Sequence, residues 1–127
     1  MENKSKHYLL GLSGEALAVE YLKNKRYKIK KVNFNSPFGE IDIIAIYKKI
    51  ICFIEVKTRS STAFGLPSEA VTNKKQKHII KTSQYYLSSV DQLYKEYRFD
   101  IIDIILDKKN KSYKLEHIKD AFIVEDY

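Results

Sequence analysis

Four residues in the middle of the chain have types and spacing suited to chemistry: Glu40, Asp42, Glu55 and Lys57. Side chains alternate along a β-strand, so Glu40 and Asp42 share a face of one strand, and Glu55 and Lys57 share a face of the next. The strings that carry them, EIDIIAIY (Glu40–Tyr47) and IICFIEVK (Ile50–Lys57), are separated by Lys48 and Lys49 alone, which predicts a hairpin. With those lysines as the turn, Tyr47 faces Ile50, Asp42 faces Glu55 and Glu40 faces Lys57. Opposed residues of an antiparallel pair lie roughly 4.5–5.5 Å apart, near enough for two carboxylates to share one cation. A slip of one residue would send them to opposite faces. The turn itself is unfavourable, because tight hairpins prefer Asn-Gly or Gly.

The neighbours of these acids matter as much as their spacing. Asp42 sits between Ile41 and Ile43, and Glu55 between Ile54 and Val56. A carboxylate inside an apolar strand costs several kcal/mol unless paired or coordinated, and two side by side repel. A hard divalent cation such as Mg²⁺, or Mn²⁺ in its place, resolves both problems with oxygen ligands. The plain alternative is an ion pair of Asp42 or Glu55 with Lys57 at a water-facing sheet edge. Glu40, beside Gly39, reads as a solvated strand entrance. Glu15 lies on the apolar stripe of the first helix, where it would either serve a site or answer the helix dipole. Gln76 occupies the core-facing stripe of the second helix, as a site residue or as an amide bonded to backbone.

These side chains need elements to hold them. Gly11–Lys25 has helical periodicity, with Leu12, Glu15, Ala18, Val19 and Leu22 on one face. Tyr27–Phe34 reads as a strand, and Asn33–Gly39 (NFNSPFG) as loop chemistry. The two near-continuous apolar strings of the hairpin predict strands buried on both faces in the middle of a sheet. Thr58–Pro67 reads as a polar loop and Asn73–Ser89 as a helix. Tyr97–Leu106 and Ser112–Ile118 are further strands, joined by a turn at Asp107–Lys111. The order is α-β-β-β-α-β-β, an α/β fold whose mixed sheet is flanked by helices.

Composition removes many other classes. The 127 residues predict one domain, spanning 1–127. A single cysteine, Cys52, excludes an intrachain disulfide and a multi-cysteine metal site, and is expected to pack in the core away from Glu55. No apolar run approaches the roughly 20 residues of a membrane span. The basic start lacks the apolar core of about 7–15 residues that a signal peptide needs, so a cytoplasmic location is expected. His7, His78 and His117 show no metal-binding spacing and read as surface residues. Ser13 lacks a GxSxG context, and no phosphate-loop or dinucleotide fingerprint occurs. Arg98 and Asp100 share a strand face, which predicts a salt bridge. The net charge of +7 favours a polyanionic partner, and Lys74, Lys75 and Lys77 at the start of the second helix, with Arg59, are the candidate phosphate contacts.

The string Gly39-Glu40-Ile41-Asp42, twelve residues, then Glu55-Val56-Lys57 resembles the signature of PD-(D/E)xK nucleases. More closely, the chain resembles the YraN-like family of small bacterial proteins, related to archaeal-type Holliday-junction resolvases. The resemblance runs through Gly14-Glu15-Ala16, Ala18, Tyr21-Leu22, Asn33-Phe34, GEIDIIA, FIEVKTR, Phe64-Gly65, Lys74, Arg98-Phe99-Asp100 and Ala121-Phe122. It implies a restriction-endonuclease-like core and a metal-dependent endonuclease acting on DNA, including branched or recombination intermediates. Carried over by position, Asp42, Glu55 and Glu15 would hold the metal. Lys57 would orient or activate the attacking water, and Gln76 would match a helical glutamine or lysine beside the site. Two departures stand out: Pro37 precedes Gly39 instead of adjoining Asp42, and Asn35 occupies a position often basic in the family. A four-way junction as substrate would require two active sites, hence a homodimer. The competing reading is a non-catalytic nucleic-acid-binding domain that retains the nuclease fold. A ribosome-associated basic protein would not account for acids on buried strands.

Overall fold

The computed structural model describes residues 14–60, 71–90, 96–107 and 109–122. Its elements are α1 (Gly14–Asn24), β1 (Lys28–Ser36), β2 (Gly39–Tyr47), β3 (Ile50–Ser60), α2 (Asn73–Ser88), β4 (Glu96–Asp107) and β5 (Ser112–Phe122). The strands form one sheet in the order β1-β2-β3-β4-β5. All neighbours are antiparallel except β3 and β4, which run parallel. A parallel pair needs a crossover of a dozen or more residues, and the segment carrying α2 supplies it. This is the mixed α/β, restriction-endonuclease-like order expected from the sequence.

Alternation along the central strands divides the core in two. Ile44, Ile46, Ile51, Phe53, Phe99 and Ile101 pack against Ile79, Ile80 and Tyr86 of α2. Ile43, Ala45, Cys52, Ile54, Ile102 and Ile104 pack against Leu17, Ala18 and Leu22 of α1. Cys52 is buried on the α1 side, as expected, and burial pushes its thiol up to about 12.

Several boundaries differ from the sequence reading. β1 continues through Asn35 and Ser36, because a tight turn at Pro37–Phe38 lets Ser36 pair with Gly39. Thr58, Arg59 and Ser60 are not loop but the end of β3, since β4 pairs with that strand as far as Ser60↔Leu106. β5 extends to Phe122. The part of the first predicted helix before Gly14, the loop beyond Ser60 and Phe64-Gly65 lie outside the described residues.

A polar cluster interrupts the α1-side core. Asp100 is fully buried, and its carboxylate accepts from Arg98 Nε at 2.9 and 3.1 Å, from His117 Nε2 at 2.8 Å and from the Asp120 backbone N–H at 3.0 Å. Tyr21 Oη lies 3.0 Å from His117 Nδ1, so one ring hydrogen on Nε2 completes both contacts. Arg98 also donates to the Tyr27 hydroxyl. Burial alone would raise Asp100, but the His117 and Arg98 hydrogen bonds outweigh it and hold the carboxyl below its ordinary value. The predicted Arg98–Asp100 salt bridge is therefore present. His117 is no surface residue: its side chain is 3% exposed. Tyr113, Leu115 and His117 alternate onto one face of β5, so the position demanded an inward side chain.

Candidate active site

The predicted hairpin register holds over five pairs, from Tyr47↔Ile50 to Ile43↔Ile54. Lys48 enters the turn at φ +55°, the left-handed conformation that primed turns require. The next pair in this register would be Asp42 with Glu55, and there the backbone ladder stops. The Val56 N–H donates instead to Asp42 Oδ2 at 2.8 Å. A side chain has replaced a ladder bond, and the two strands splay around it.

The gap is an open cleft of about 580 Å³, lined by Glu15, Glu40, Asp42, Glu55, Lys57 and Lys75, with Gly14, Val56 and Thr58 around them. Three elements deliver its acids. Glu15 arrives from the first turn of α1, which Gly14 allows to sit directly on β3: a Cβ there would fall 1.8 Å from Thr58 Oγ1. Asp42 comes from β2 and Glu55 from β3. Asn33, in β1 at φ +54°, brings its side-chain amide to Glu15, where it opposes the rise in that carboxyl's pKa. Asn is one of the few non-glycine residues that visit this conformation routinely.

The electrostatics follow from this crowding. Asp42 is within hydrogen-bonding reach of both Glu15 and Glu55. Burial and the proximity of Asp42 push Glu55 up to about 7, against the opposing pull of Lys75. Burial, then the charge of Asp42, raises Glu15 as well. Lys75 reaches from the first turn of α2 and its ammonium lies against Glu55 Oε2. That oxygen is buried and has no hydrogen bond of acceptable geometry. Lys57 is lowered, first by its contact with Lys75 and then by burial. For Lys75, the contacts with Glu55 and Lys57 outweigh the lowering effect of burial and raise it.

The sequence candidates therefore divide. Glu15, Asp42, Glu55 and Lys57 converge on one cleft, with Glu40 exposed at its rim. Gln76 does not line it: its amide donates to the Val71 carbonyl at 3.0 Å. Lys74 and Lys77 are exposed on α2, while Lys75 turns inward. Arg59 pairs with Asp103 at 3.3 Å, on the same side of the sheet but outside the cleft lining. Asn33 and Gly14 were not singled out as parts of the site, and Lys75 was expected as a phosphate contact, not as the partner of Glu55. Its place four residues before Ile79, on the flank of the buried stripe, is the signal for that inward turn.

A family model described as "Uncharacterised protein family UPF0102" matches residues 14–104. The chain belongs to UPF0102. This agrees with the resemblance to the YraN-like family read from its motifs. The UPF0102 protein of Alkaliphilus oremlandii is 51% identical over 115 residues, covering 89% of this chain and 97% of that one. The UPF0102 protein of Caldicellulosiruptor bescii is 49% identical over 114 residues, with 89% and 96% covered. A UPF0102 protein of Clostridium perfringens is 48% identical over 116 residues, with 91% and 94% covered. The match to the UPF0102 model spans every element that lines the cleft, from Gly14 through Lys75.

The donor set suits a hard cation. Carboxylate oxygens from three elements face one opening, one of them buried without a hydrogen bond, and a lysine ammonium already stands against it. The set is not a finished cage: among the described residues, no three His, Cys, Asp or Glu side chains form a complete metal-holding group. Mg²⁺ tolerates this, since it keeps several waters and takes only one or two carboxylates plus substrate phosphate. Among the described residues, no helix is long and apolar enough to cross a membrane.

Proposed function

We propose that this UPF0102 protein is a divalent-metal-dependent endonuclease that hydrolyses phosphodiester bonds of DNA, branched DNA included, in the cytoplasm. The observation that carries the reading is the convergence of Glu15, Asp42 and Glu55 beside Lys57, with Glu55 raised to about 7 by its surroundings. Carboxylates raised by burial and by one another at a cleft are a mark of a functional site. Asp42 and Glu55 would hold Mg²⁺ or Mn²⁺, with Glu15 completing the shell through a water. When bound, the ion polarises a phosphoryl oxygen and lowers the pKa of a coordinated water.

The chain's own residues do the rest. Lys57, lowered by the neighbouring Lys75 and by burial, lines the cleft, where it would orient or activate the attacking water. Lys75, released from Glu55 as phosphate enters, would place its charge on a non-bridging oxygen. The exposed lysines of α2 attract the backbone without reading its sequence. Cutting a four-way junction symmetrically would take two such clefts, and so two copies of the chain.

One observation favours a second reading. The Lys75 ammonium already neutralises Glu55 without a metal, as a domain that binds nucleic acid and does not cut would require. Cleavage assays with Mg²⁺ or Mn²⁺ on branched, nicked and linear DNA and on RNA decide between the two. Asp42→Asn and Glu55→Gln should each lower the cleavage rate about 10²–10³-fold, while DNA binding in chelator is retained. Calorimetry with DNA present should show metal binding that the double variant loses. Neither cleavage nor metal binding by the wild type would leave the binding domain.

A further inference from the structure

The turn between β1 and β2 holds an aromatic ring out in water. Phe38 is 47% exposed and Tyr85, on α2, is 43% exposed, with ring centroids 6.4 Å apart and planes at 71°. This turn is tightly fastened. Ser36 Oγ donates to the Gly39 carbonyl at 3.0 Å and accepts from the Phe38 N–H at 3.1 Å. Its single hydrogen being used, the Thr82 hydroxyl of α2 must be the donor across the 2.9 Å contact between them. Beneath the pair, Phe34 packs on the α2-side core and meets the Tyr85 ring at 6.3 Å. The rings are thus fixed from below, and each leaves close to half its surface in water. A lone exposed aromatic needs no explanation, but a braced pair does.

Cations surround it. Lys74, Lys77, His78, Lys81 and Tyr85 fall within an arc of roughly 100° on α2, and all are exposed. Lys81 Nζ stands 6.0 Å above the centre of the Phe38 ring. No acidic residue occurs anywhere in the helix. The rings share elements with the cleft lining: Phe38 is two residues from Glu40, and Tyr85 is ten residues from Lys75, about 15 Å along the helix.

We propose that Phe38 and Tyr85 form a stacking platform for an unpaired base of the nucleic-acid substrate, the base lying flat on one ring and meeting the edge of the other. Bases inside a duplex are already stacked and cannot reach such rings, so the platform selects single-stranded segments beside a branch or flap. Stacking of this kind is indifferent to sequence, because every base has a π-face, while the α2 lysines follow the phosphates. The inference rests on the nuclease reading for its substrate, but the platform itself is a binding property.

Fluorescence anisotropy with the full chain in EDTA tests it, using a labelled oligo(dT) strand and a blunt duplex of equal length. The single strand should bind more tightly, and Phe38→Ala and Tyr85→Ala should each weaken it about 5–100-fold while changing duplex binding little. Tyr85→Phe should restore single-strand binding, and Lys81→Gln should lower the salt dependence for both ligands. An alanine pair that binds oligo(dT) like the wild type, or loses strand and duplex equally, overturns the platform. So does a patch whose alanine variants abolish self-association in sedimentation without touching DNA affinity. Platform-dependent binding with no metal-dependent cleavage would overturn the nuclease reading and keep the platform.

Discussion

Two buried carboxylates in this protein meet opposite fates. Asp100 is closed off: Arg98, His117 and the Asp120 amide take up its oxygens, and its pKa falls despite complete burial. Glu55 is nearly as buried, at 5% exposure, yet one oxygen lacks a hydrogen bond and its pKa climbs to about 7. Both lie on central strands of the same sheet. What separates them is what faces them: a cation, a ring N–H and an amide for Asp100, and for Glu55 another carboxylate with the single ammonium of Lys75. The first arrangement satisfies its carboxylate within the fold, and the second leaves it at the wall of an open cleft.

The contrast is broken most severely at Asp100. Asp100→Ala would strand the Arg98 guanidinium, whose side chain is only 15% exposed, and should destabilise the fold by about 3–5 kcal/mol in urea or thermal unfolding. Glu55→Gln removes a repelled carboxylate and should leave stability unchanged or raised. Equal losses from the two substitutions would erase the distinction drawn between the clusters.

The pH dependence of stability should also oppose the two sites. Glu55 has a folded pKa of about 7, above its ordinary value, so between about pH 4.5 and 7 the folded state holds more protons. Its contribution is full below that window and is lost as pH rises through 7, by an amount on the order of 1–3 kcal/mol. Asp100, depressed on folding, contributes above the ordinary carboxylate pKa and loses that contribution as pH falls through its folded value. Chemical denaturation across pH 5–8 in chelator should show the Glu55 slope, and Glu55→Gln should flatten it. A slope untouched by that substitution would assign it elsewhere.

Much of this was legible beforehand. The two-lysine loop set the register, and the apolar neighbours of Asp42 and Glu55 marked them as acids in need of a partner. What the pattern could not reveal is that the ladder ends at Ile43↔Ile54, because a carboxylate accepting from Val56 N–H looks no different in sequence from one facing solvent. Lys75 was read as one more phosphate contact among lysines, since composition does not say which of them turns inward. Thr58, Arg59 and Ser60 looked like loop because their strand identity comes from β4, a partner far away in sequence. His117 was misread for a related reason: its partners Asp100 and Tyr21 lie on other elements.

The smallest test concerns how the open cluster is assembled. Gly14→Ala forces a methyl into Thr58 and should cost about 1–3 kcal/mol through overpacking, despite the better helix propensity of Ala. It should also lower cleavage by withdrawing Glu15, whereas Gly14→Ala combined with Thr58→Ser, which keeps the clashing hydroxyl, should recover little. Restored activity in Thr58→Ala combined with Gly14→Ala would tie the effect to that contact.

The charges of α2 run against its own polarity. A helix begins with a partial positive charge, and cations in the first turn cost roughly 0.3–1 kcal/mol each. This one opens on Lys74 and Lys75, has no acid in its first turn and no base in its last. The Thr72 side chain, accepting from the Lys75 N–H at 3.2 Å, and the Glu55 carboxylate offset part of that penalty. The first turn of α2 should therefore exchange its amides with solvent sooner than the turns that follow it, and a phosphate group laid across it would reverse the balance.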